Sequence, residues 1–183
     1  MYALTGEHGS GKTSVCTQVT AGARARGLDV AGIITSRSGP EPDAPREVMD
    51  VRSGSRRLFG ARTAKTAAVD AHNADFTFDP LTPRWKYESE VFTWASEVLS
   101  NATPCDLLLV DEVGPLELLG GRGWASALDV LRKGDFQAAL VVCRPRLMDA
   151  LEDAIQRPLA GSFEADLEKI DGLSALMVGA MFE

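Results

Sequence analysis

The stretch that decides the fold lies near the amino terminus and reads Gly6-Glu7-His8-Gly9-Ser10-Gly11-Lys12-Thr13. It fits the pattern Gly-x-x-x-x-Gly-Lys-[Ser/Thr], in which glycines let the backbone bend around phosphates and present N–H donors to them. The apolar residues before it predict a buried strand, and the spacing of Val15, Val19 and Ala23 predicts a helix from Gly11 to about Arg26. A strand, a glycine-rich loop and a helix in this order indicate a phosphate-binding loop.

Individual positions of this loop have defined chemical roles. The following helix offers unpaired N–H groups and the positive end of its dipole. We expect Lys12 to neutralise the β and γ phosphates and the Thr13 hydroxyl to bind Mg²⁺. The predicted nucleotide-binding residues are Gly6, Glu7, His8, Gly9, Ser10, Gly11, Lys12, Thr13 and Ser14.

A pair of acidic residues follows the most continuously apolar run of the chain. Leu107–Val110 predicts a central parallel strand, and Asp111 and Glu112 come directly after it. Ligands bind at the carboxyl edge of such strands, so we expect Asp111 to lie beside the loop and to hold Mg²⁺ through water. Glu112 is then predicted to polarise the water molecule that attacks the γ-phosphate. The alternative is that Glu112 belongs to a solvated acidic turn. Glu117 either lines the edge of this site or serves as a charge at a helix N-terminus.

The rest of the chain alternates between strands and helices. Further strands are predicted at 30–35 and 139–143, and helices at 88–100, 124–133 and 146–156. Residues 47–52 and 57–61 predict a hairpin, a short strand is possible at Phe76–Phe78, and the segment up to Lys86 is otherwise irregular. We expect a helix from Glu164 to Gly172, and a helix or edge strand at 176–178. This order predicts one α/β domain over residues 1–183, with a mostly parallel sheet, helices on both faces and an inserted β-hairpin.

Composition narrows the class of protein. The net charge of −7 argues against a nucleic-acid binder, and no apolar run approaches the length of a transmembrane span. Cys16, Cys105 and Cys143 lie in or beside apolar stretches, which is typical of reduced core thiols. We expect a cytoplasmic monomer, not bound to membranes, whose ligands are nucleoside triphosphates.

Parts of the sequence also fit other classes of P-loop protein. Asp111–Gly114 also fits the Asp-x-x-Gly of switch GTPases, but the nearest guanine motif, Arg132-Lys133-Gly134-Asp135, has the wrong first residue and precedes its strand. A small-molecule kinase would need an arginine-rich lid. Candidates for such a lid are Arg56, Arg57 and Arg62, or Arg144 and Arg146. A nucleotide-dependent regulatory module with slow hydrolysis is a third alternative.

Two motifs carry a resemblance to a known family. The loop and the stretch Asp111-Glu112-Val113-Gly114-Pro115-Leu116-Glu117-Leu118 resemble those of the small THEP nucleoside-triphosphatases of thermophiles and animals. Ala31–Thr35 and Asp50–Arg56 are similar to the family's Gly-Phe-x-Thr strand and Ser-Gly-x-Arg hairpin, whereas 36–46 and the carboxyl-terminal segment depart from it. The resemblance covers roughly residues 1–157. It implies a RecA-like P-loop fold and slow, Mg²⁺-dependent hydrolysis of the terminal phosphate with little base selectivity.

A second cation is needed near the γ-phosphate, because the negative charge on its oxygens must be stabilised while the phosphoryl group is transferred. Arg56, in the Ser-Gly-x-Arg segment, is the favoured candidate, since a mobile hairpin could fold over the triphosphate. Arg144 follows the strand after the acidic pair and is the alternative. Lys12, Glu112 and Arg56 are therefore the predicted catalytic residues, with Thr13 and Asp111 at the metal.

Overall fold

The computed structural model describes residues 1–7, 9–41, 44–62, 76–78 and 85–182. Nine strands lie in these ranges: β1 (Tyr2–Thr5), β2 (Val30–Arg37), β3 (Arg46–Asp50), β4 (Arg56–Arg62), β5 (Phe76–Phe78), β6 (Trp85–Glu88), β7 (Cys105–Val113), β8 (Phe136–Cys143) and β9 (Gly161–Glu164). The same ranges contain six α-helices: α1 (Lys12–Ala25), α2 (Ser89–Ser100), α3 (Pro115–Leu118), α4 (Ser126–Lys133), α5 (Met148–Ile155) and α6 (Ile170–Phe182).

The strands form one sheet in the order β5-β6-β4-β3-β2-β7-β8-β1-β9. The five strands from β2 to β9 in this order are parallel, and β3, β4, β6 and β5 extend the sheet in antiparallel fashion. The hairpin of β3 and β4 is inserted between β2 and α2. The predicted α/β fold with its inserted hairpin is therefore confirmed.

Helices cover both faces of the sheet, because the central strands bury side chains on each side. Leu107 and Leu109 of β7 pack in the cluster that includes α1 and α6. Leu108 and Val110 pack in the other cluster, with α2, α4 and α5. Strand side chains alternate between faces, so Asp111 continues on the α1 face, where the phosphate loop ends. The three cysteines are buried and unpaired, as predicted.

The carboxyl-terminal segment differs from the prediction. The expected helix from Glu164 to Gly172 is wrong in position, because β9 ends at Glu164, a 3₁₀ turn follows at Leu167–Lys169, and α6 begins at Ile170. Backbone pairing of β9 with β1 outweighs the local helical pattern. Residues 176–178 lie within α6, so the helical alternative holds there. The irregular structure predicted up to Lys86 falls largely outside the described residues.

Besides β9, the short elements β6 and α3 have no counterpart in the prediction. Within the described ranges, no helix has both the length and the apolar character required to cross a bilayer.

Candidate functional site

Three glycines in the loop between β1 and α1 have backbone conformations that other residues rarely adopt. Gly6, Gly9 and Gly11 have φ angles of 142°, 84° and 89°. A Cβ on Gly6 would lie 2.5 Å from the Ser10 hydroxyl oxygen, and one on Gly11 would lie 2.7 Å from Leu167 Cδ2. The positive φ angles therefore favour glycine at these three positions, and at Gly6 and Gly11 a side chain would also displace a neighbouring one.

Lys12 begins α1 and its side chain lies across the loop. The ammonium nitrogen donates hydrogen bonds to the carbonyl oxygens of Gly6 and Glu7, each at 2.7 Å, and lies 3.5 Å from Ser10 Oγ. No acidic residue occupies the first turn of α1, so the positive end of its dipole is not neutralised locally. Ser14 follows on the exposed side of α1, and His8 lies outside the described residues.

Thr13 and Asp111 meet across the sheet edge, although they are far apart in sequence. The Thr13 hydroxyl oxygen lies 3.1 Å from Asp111 Oδ2 and 3.2 Å from the carbonyl oxygen of Thr35. The Thr35 backbone N–H donates to the same Asp111 oxygen at 3.3 Å. The ends of β2 and β7 and the start of α1 thus bring together the two predicted metal ligands.

Asp111 is only 2% exposed. Burial, followed by the negative charge of Glu112, raises the pKa of Asp111 to about 7, while the bonds from Thr13 and Thr35 lower it. Arg46, at the start of β3, also acts to lower this pKa through its charge. The sequence did not single out Arg46. Only the pairing of Arg46 with Arg37 at the end of β2 reveals that it begins its strand at the site edge.

Glu112 forms an ion pair with the alternative candidate arginine. Arg144 Nε donates to Glu112 Oε1 at 2.8 Å, and both side chains keep contact with solvent. The indole N–H of Trp124 donates to the Glu112 carbonyl oxygen at 3.2 Å. Glu112 is therefore held at its main chain and its carboxylate.

Glu117 is 5% exposed and lies at the start of α3. Its carboxylate accepts hydrogen bonds from the backbone N–H groups of Gly114 at 2.9 Å and Trp124 at 3.1 Å. Burial raises the pKa of Glu117 to about 7 against the opposing effect of these bonds. Glu117 thus connects both ends of the segment 114–124. This agrees with the interpretation that Glu117 serves as a charge at a helix N-terminus.

Within the part of the chain that the structure describes, Arg56 contacts a glutamate of β3 and neither the loop nor the acidic pair. Its guanidinium pairs with Glu47, which also accepts a hydrogen bond from the Ser36 hydroxyl at 2.9 Å. The turn of its hairpin lies toward the amino ends of β2 and β7, where Arg52 pairs with Asp29 at 2.7 Å. That is the edge opposite the phosphate loop, so this geometry does not favour closure of the hairpin over a triphosphate.

Two other predicted features have structural explanations. Arg57, a candidate for a kinase lid, lies over the Trp94 ring with its guanidinium carbon 4.6 Å from the centroid. The tetrapeptide 132–135, the nearest candidate for a guanine motif, comprises the last two residues of α4 and the two residues before β8. It therefore precedes its strand, as the sequence indicated.

A phosphate loop at a helix N-terminus, with a carboxylate from a central strand beside its threonine, defines the P-loop class of nucleotide-binding proteins. The model of the NTPase family matches residues 1–159, and the chain belongs to this family. The protein is thus a hydrolase that acts on nucleoside triphosphates. A sequence search of curated proteins finds no match.

Solved structures share the fold. THEP1 from the hyperthermophile Aquifex aeolicus superposes with a TM-score of 0.70 at 18% identity, over 100% of both chains. A human cancer-related nucleoside triphosphatase gives a TM-score of 0.70 at 18% identity, over 99% of this chain and 96% of the other. The resemblance predicted from the two motifs is therefore confirmed at the level of family and fold.

Proposed function

We propose that this protein hydrolyses the terminal phosphate of nucleoside 5'-triphosphates in a Mg²⁺-dependent reaction with little selectivity for the base. The observation that carries the proposal is the 3.1 Å approach of Thr13 Oγ1 to Asp111 Oδ2 at the end of the loop crossed by Lys12. This arrangement combines donors for phosphate with oxygen ligands for a hard cation.

Phosphate binding rests on charge and on backbone donors. Backbone N–H groups in the first turn of a helix that follows a glycine-rich loop are donors suited to an anion. The Lys12 ammonium has three N–H donors, two of which bond the carbonyl oxygens of Gly6 and Glu7. It therefore stays fixed at the loop while it presents positive charge to the β and γ phosphates.

The donor set of Thr13 and Asp111 fits Mg²⁺. Magnesium prefers oxygen ligands and is usually held by one or two protein groups, substrate phosphates and waters. Asp111 is a buried carboxylate whose charged form is disfavoured by its surroundings, and a dication beside it would compensate for that cost. When bound, the ion would neutralise charge on the β and γ phosphates. Thr13 would ligate it directly and Asp111 through water.

Glu112 is the proposed base. It orients a water molecule toward the γ-phosphorus and accepts its proton as the bond from phosphorus to the β–γ bridging oxygen breaks. The diphosphate leaves with the electron pair of that bond, and inorganic phosphate is the second product. The ion pair with Arg144 and the Trp124 bond hold Glu112 in one orientation, which lowers the entropic cost of this step.

For the second cation we propose Arg144 in preference to Arg56. In the sheet, β8 lies between β1, which leads into the phosphate loop, and β7, which carries the acidic pair. A residue that follows β8 therefore emerges between these two parts of the site. Arg56 lies on β4, beyond β2 and β3, and acts at most indirectly through Glu47 and Ser36.

The experiment is a phosphate-release assay with ATP, GTP, CTP and UTP, each with and without Mg²⁺, on wild type, Lys12→Ala and Asp111→Asn. We expect turnover with all four nucleotides, loss of turnover without Mg²⁺, and loss in both variants. Lys133→Ala, at an exposed lysine near the end of α4, is the matched control and keeps full activity. Unchanged turnover in Lys12→Ala would refute the assignment.

The same assay addresses the alternatives. Repeated turnover without any acceptor other than water argues against a kinase, and turnover independent of a partner protein argues against a regulatory module. The single domain over residues 1–183, the monomeric state, the cytoplasmic location and the lack of nucleic-acid binding stay predictions.

A further inference from the structure

A cavity of about 990 Å³ lies beside the phosphate loop. Ser10 of the loop forms one side of it, and the segment from Glu164 to Leu176 forms the rest. Ligand pockets for small molecules usually measure about 300–1,000 Å³. The cavity is therefore large enough for the base and ribose of a nucleotide.

The wall of this cavity is built onto the phosphate loop itself. The Ala165 backbone N–H donates to the Thr5 carbonyl oxygen at 2.9 Å, directly before the loop begins. A Cβ on Gly6 would lie 3.4 Å from the Ala165 Cβ, and one on Gly11 would lie 3.2 Å from Ile170 Cδ1. The loop and the wall are in contact, so a ligand with phosphates in the loop has this space within reach.

The lining has the chemistry of a tolerant nucleoside site. Leu167 and Leu176 are 59% and 62% exposed, which is high for large apolar side chains, and Leu173 lies between them in the lining. Aliphatic side chains contact the flat face of any base without reading its edge. The carboxylates of Glu164 and Glu168 supply acceptors for ribose hydroxyl or base N–H groups. The Asp166 carboxylate accepts the Glu168 N–H at 3.0 Å and so fixes the turn.

We infer that this cavity holds the base and ribose of the nucleotide whose phosphates occupy the loop, and that the segment Glu164–Leu176 sets the base preference. The inference rests on the proposed function. It assigns base recognition to residues beyond the family match, which ends at 159. Contact through Leu167, Leu173 and Leu176 is expected to make discrimination among bases weak.

Gly172 offers a direct test. It lines the cavity, it lies in α6, and a Cβ added there would have no heavy atom within 4 Å. Gly172→Phe should fill the cavity without straining the backbone, and replacing a helical glycine favours α6. Leu176→Asn removes an apolar contact at an exposed position. Leu58→Asn, at a leucine 51% exposed on β4, is the matched control.

The measurement compares binding of a non-hydrolysable ATP analogue with binding of inorganic tripolyphosphate, both with Mg²⁺, by calorimetry. We expect Gly172→Phe to weaken nucleotide binding by about tenfold or more and Leu176→Asn by about three- to tenfold, with tripolyphosphate binding unchanged. Leu58→Asn should change neither. Leu176→Asn should also alter the ratios of kcat/KM among the four nucleotides.

The outcomes separate this inference from the proposed function. If Lys12→Ala weakens both ligands but Gly172→Phe weakens neither, the phosphate site stands and the nucleoside assignment is refuted. Equal losses of both ligands in Gly172→Phe also refute it. A changed oligomeric state in Leu176→Asn with unchanged nucleotide affinity would instead assign these leucines to a contact between copies. If Lys12→Ala affects neither ligand, the proposed function itself fails.

Discussion

Glu117→Gln should flatten the dependence of stability on pH. The pKa of Glu117 is raised from 4.5 to about 7 in the folded protein. Between these pH values the folded state binds more protons than the unfolded state, so the free energy of unfolding falls as pH rises. The contribution of Glu117 to the free energy of unfolding is fully present below pH 4.5 and is lost as the pH rises through 7. One pKa unit corresponds to about 1.4 kcal/mol, so the loss is on the order of 3 kcal/mol.

The glutamine variant removes this titration but not the whole role of the side chain. It keeps one oxygen acceptor, so either the Gly114 or the Trp124 N–H loses its partner, at a cost of about 1–3 kcal/mol. Glu117→Gln should therefore be less stable than wild type at pH 5. The difference should shrink or reverse by pH 8, where the wild type carries a buried charge.

The assay is urea unfolding followed by circular dichroism at pH 5, 6, 7 and 8, in EDTA and without nucleotide. Asp111 also has a raised pKa, so it too makes the free energy of unfolding fall as the pH rises. Since both proteins contain Asp111, the quantity of interest is the difference between wild type and variant at each pH. Glu152→Gln, at an exposed glutamate of α5, should keep the wild-type slope. If the free energy of unfolding of Glu117→Gln falls with pH as steeply as that of the wild type, the reasoning is refuted.

Three further predictions concern the reaction and the loop. Glu112→Gln should lower turnover about 100-fold in the phosphate-release assay while analogue affinity is retained, since the base is lost but its size is kept; near-normal turnover would make Glu112 structural. Arg144→Ala should lower turnover about 100-fold or more, yet change the free energy of unfolding by less than about 1 kcal/mol, because the ion pair with Glu112 is partly exposed. Equal, small losses of turnover in Arg144→Ala and Arg56→Ala would contradict that assignment. Gly11→Ala should lower both stability, by about 1–3 kcal/mol, and calorimetric nucleotide affinity, because its φ is 89° and Leu167 lies against it; wild-type values would show that the loop relaxes.

The sequence predicted the parts of the site in which chemistry and local pattern coincide. The phosphate loop needs glycines at fixed spacing, and Lys12 and Thr13 belong to the same turn. Asp111 is the first polar residue after the apolar run Leu107–Val110, which predicts its position near the carboxyl edge of the sheet. The loop motif and the apolar run each depend on a few neighbouring residues. Together they predict that Thr13 and Asp111 lie close to each other, as they do in the structure.

The sequence was less informative where distant segments decide the structure. β9 is an edge strand only because β1 is available to pair with it, and its four residues carry no strand pattern of their own. α6 contains Gly172 and Gly179, which weaken the helical signal even though packing against α1 stabilises the helix. Helix and strand patterns therefore gave the wrong boundary at Glu164.

The choice among the arginines illustrates the same limit at the level of function. The sequence favours Arg56 because a mobile hairpin that carries it could fold over the triphosphate, but the sequence does not show which edge of the sheet the hairpin turn occupies. The strand order is what distinguishes the candidates. β8 lies between β1 and β7, so Arg144 emerges beside both the phosphate loop and Glu112, whereas Arg52 ties the hairpin turn to Asp29 at the far edge. Because strand order is a property of the whole sheet, a second cation can be proposed from local sequence but selected only once the topology is known.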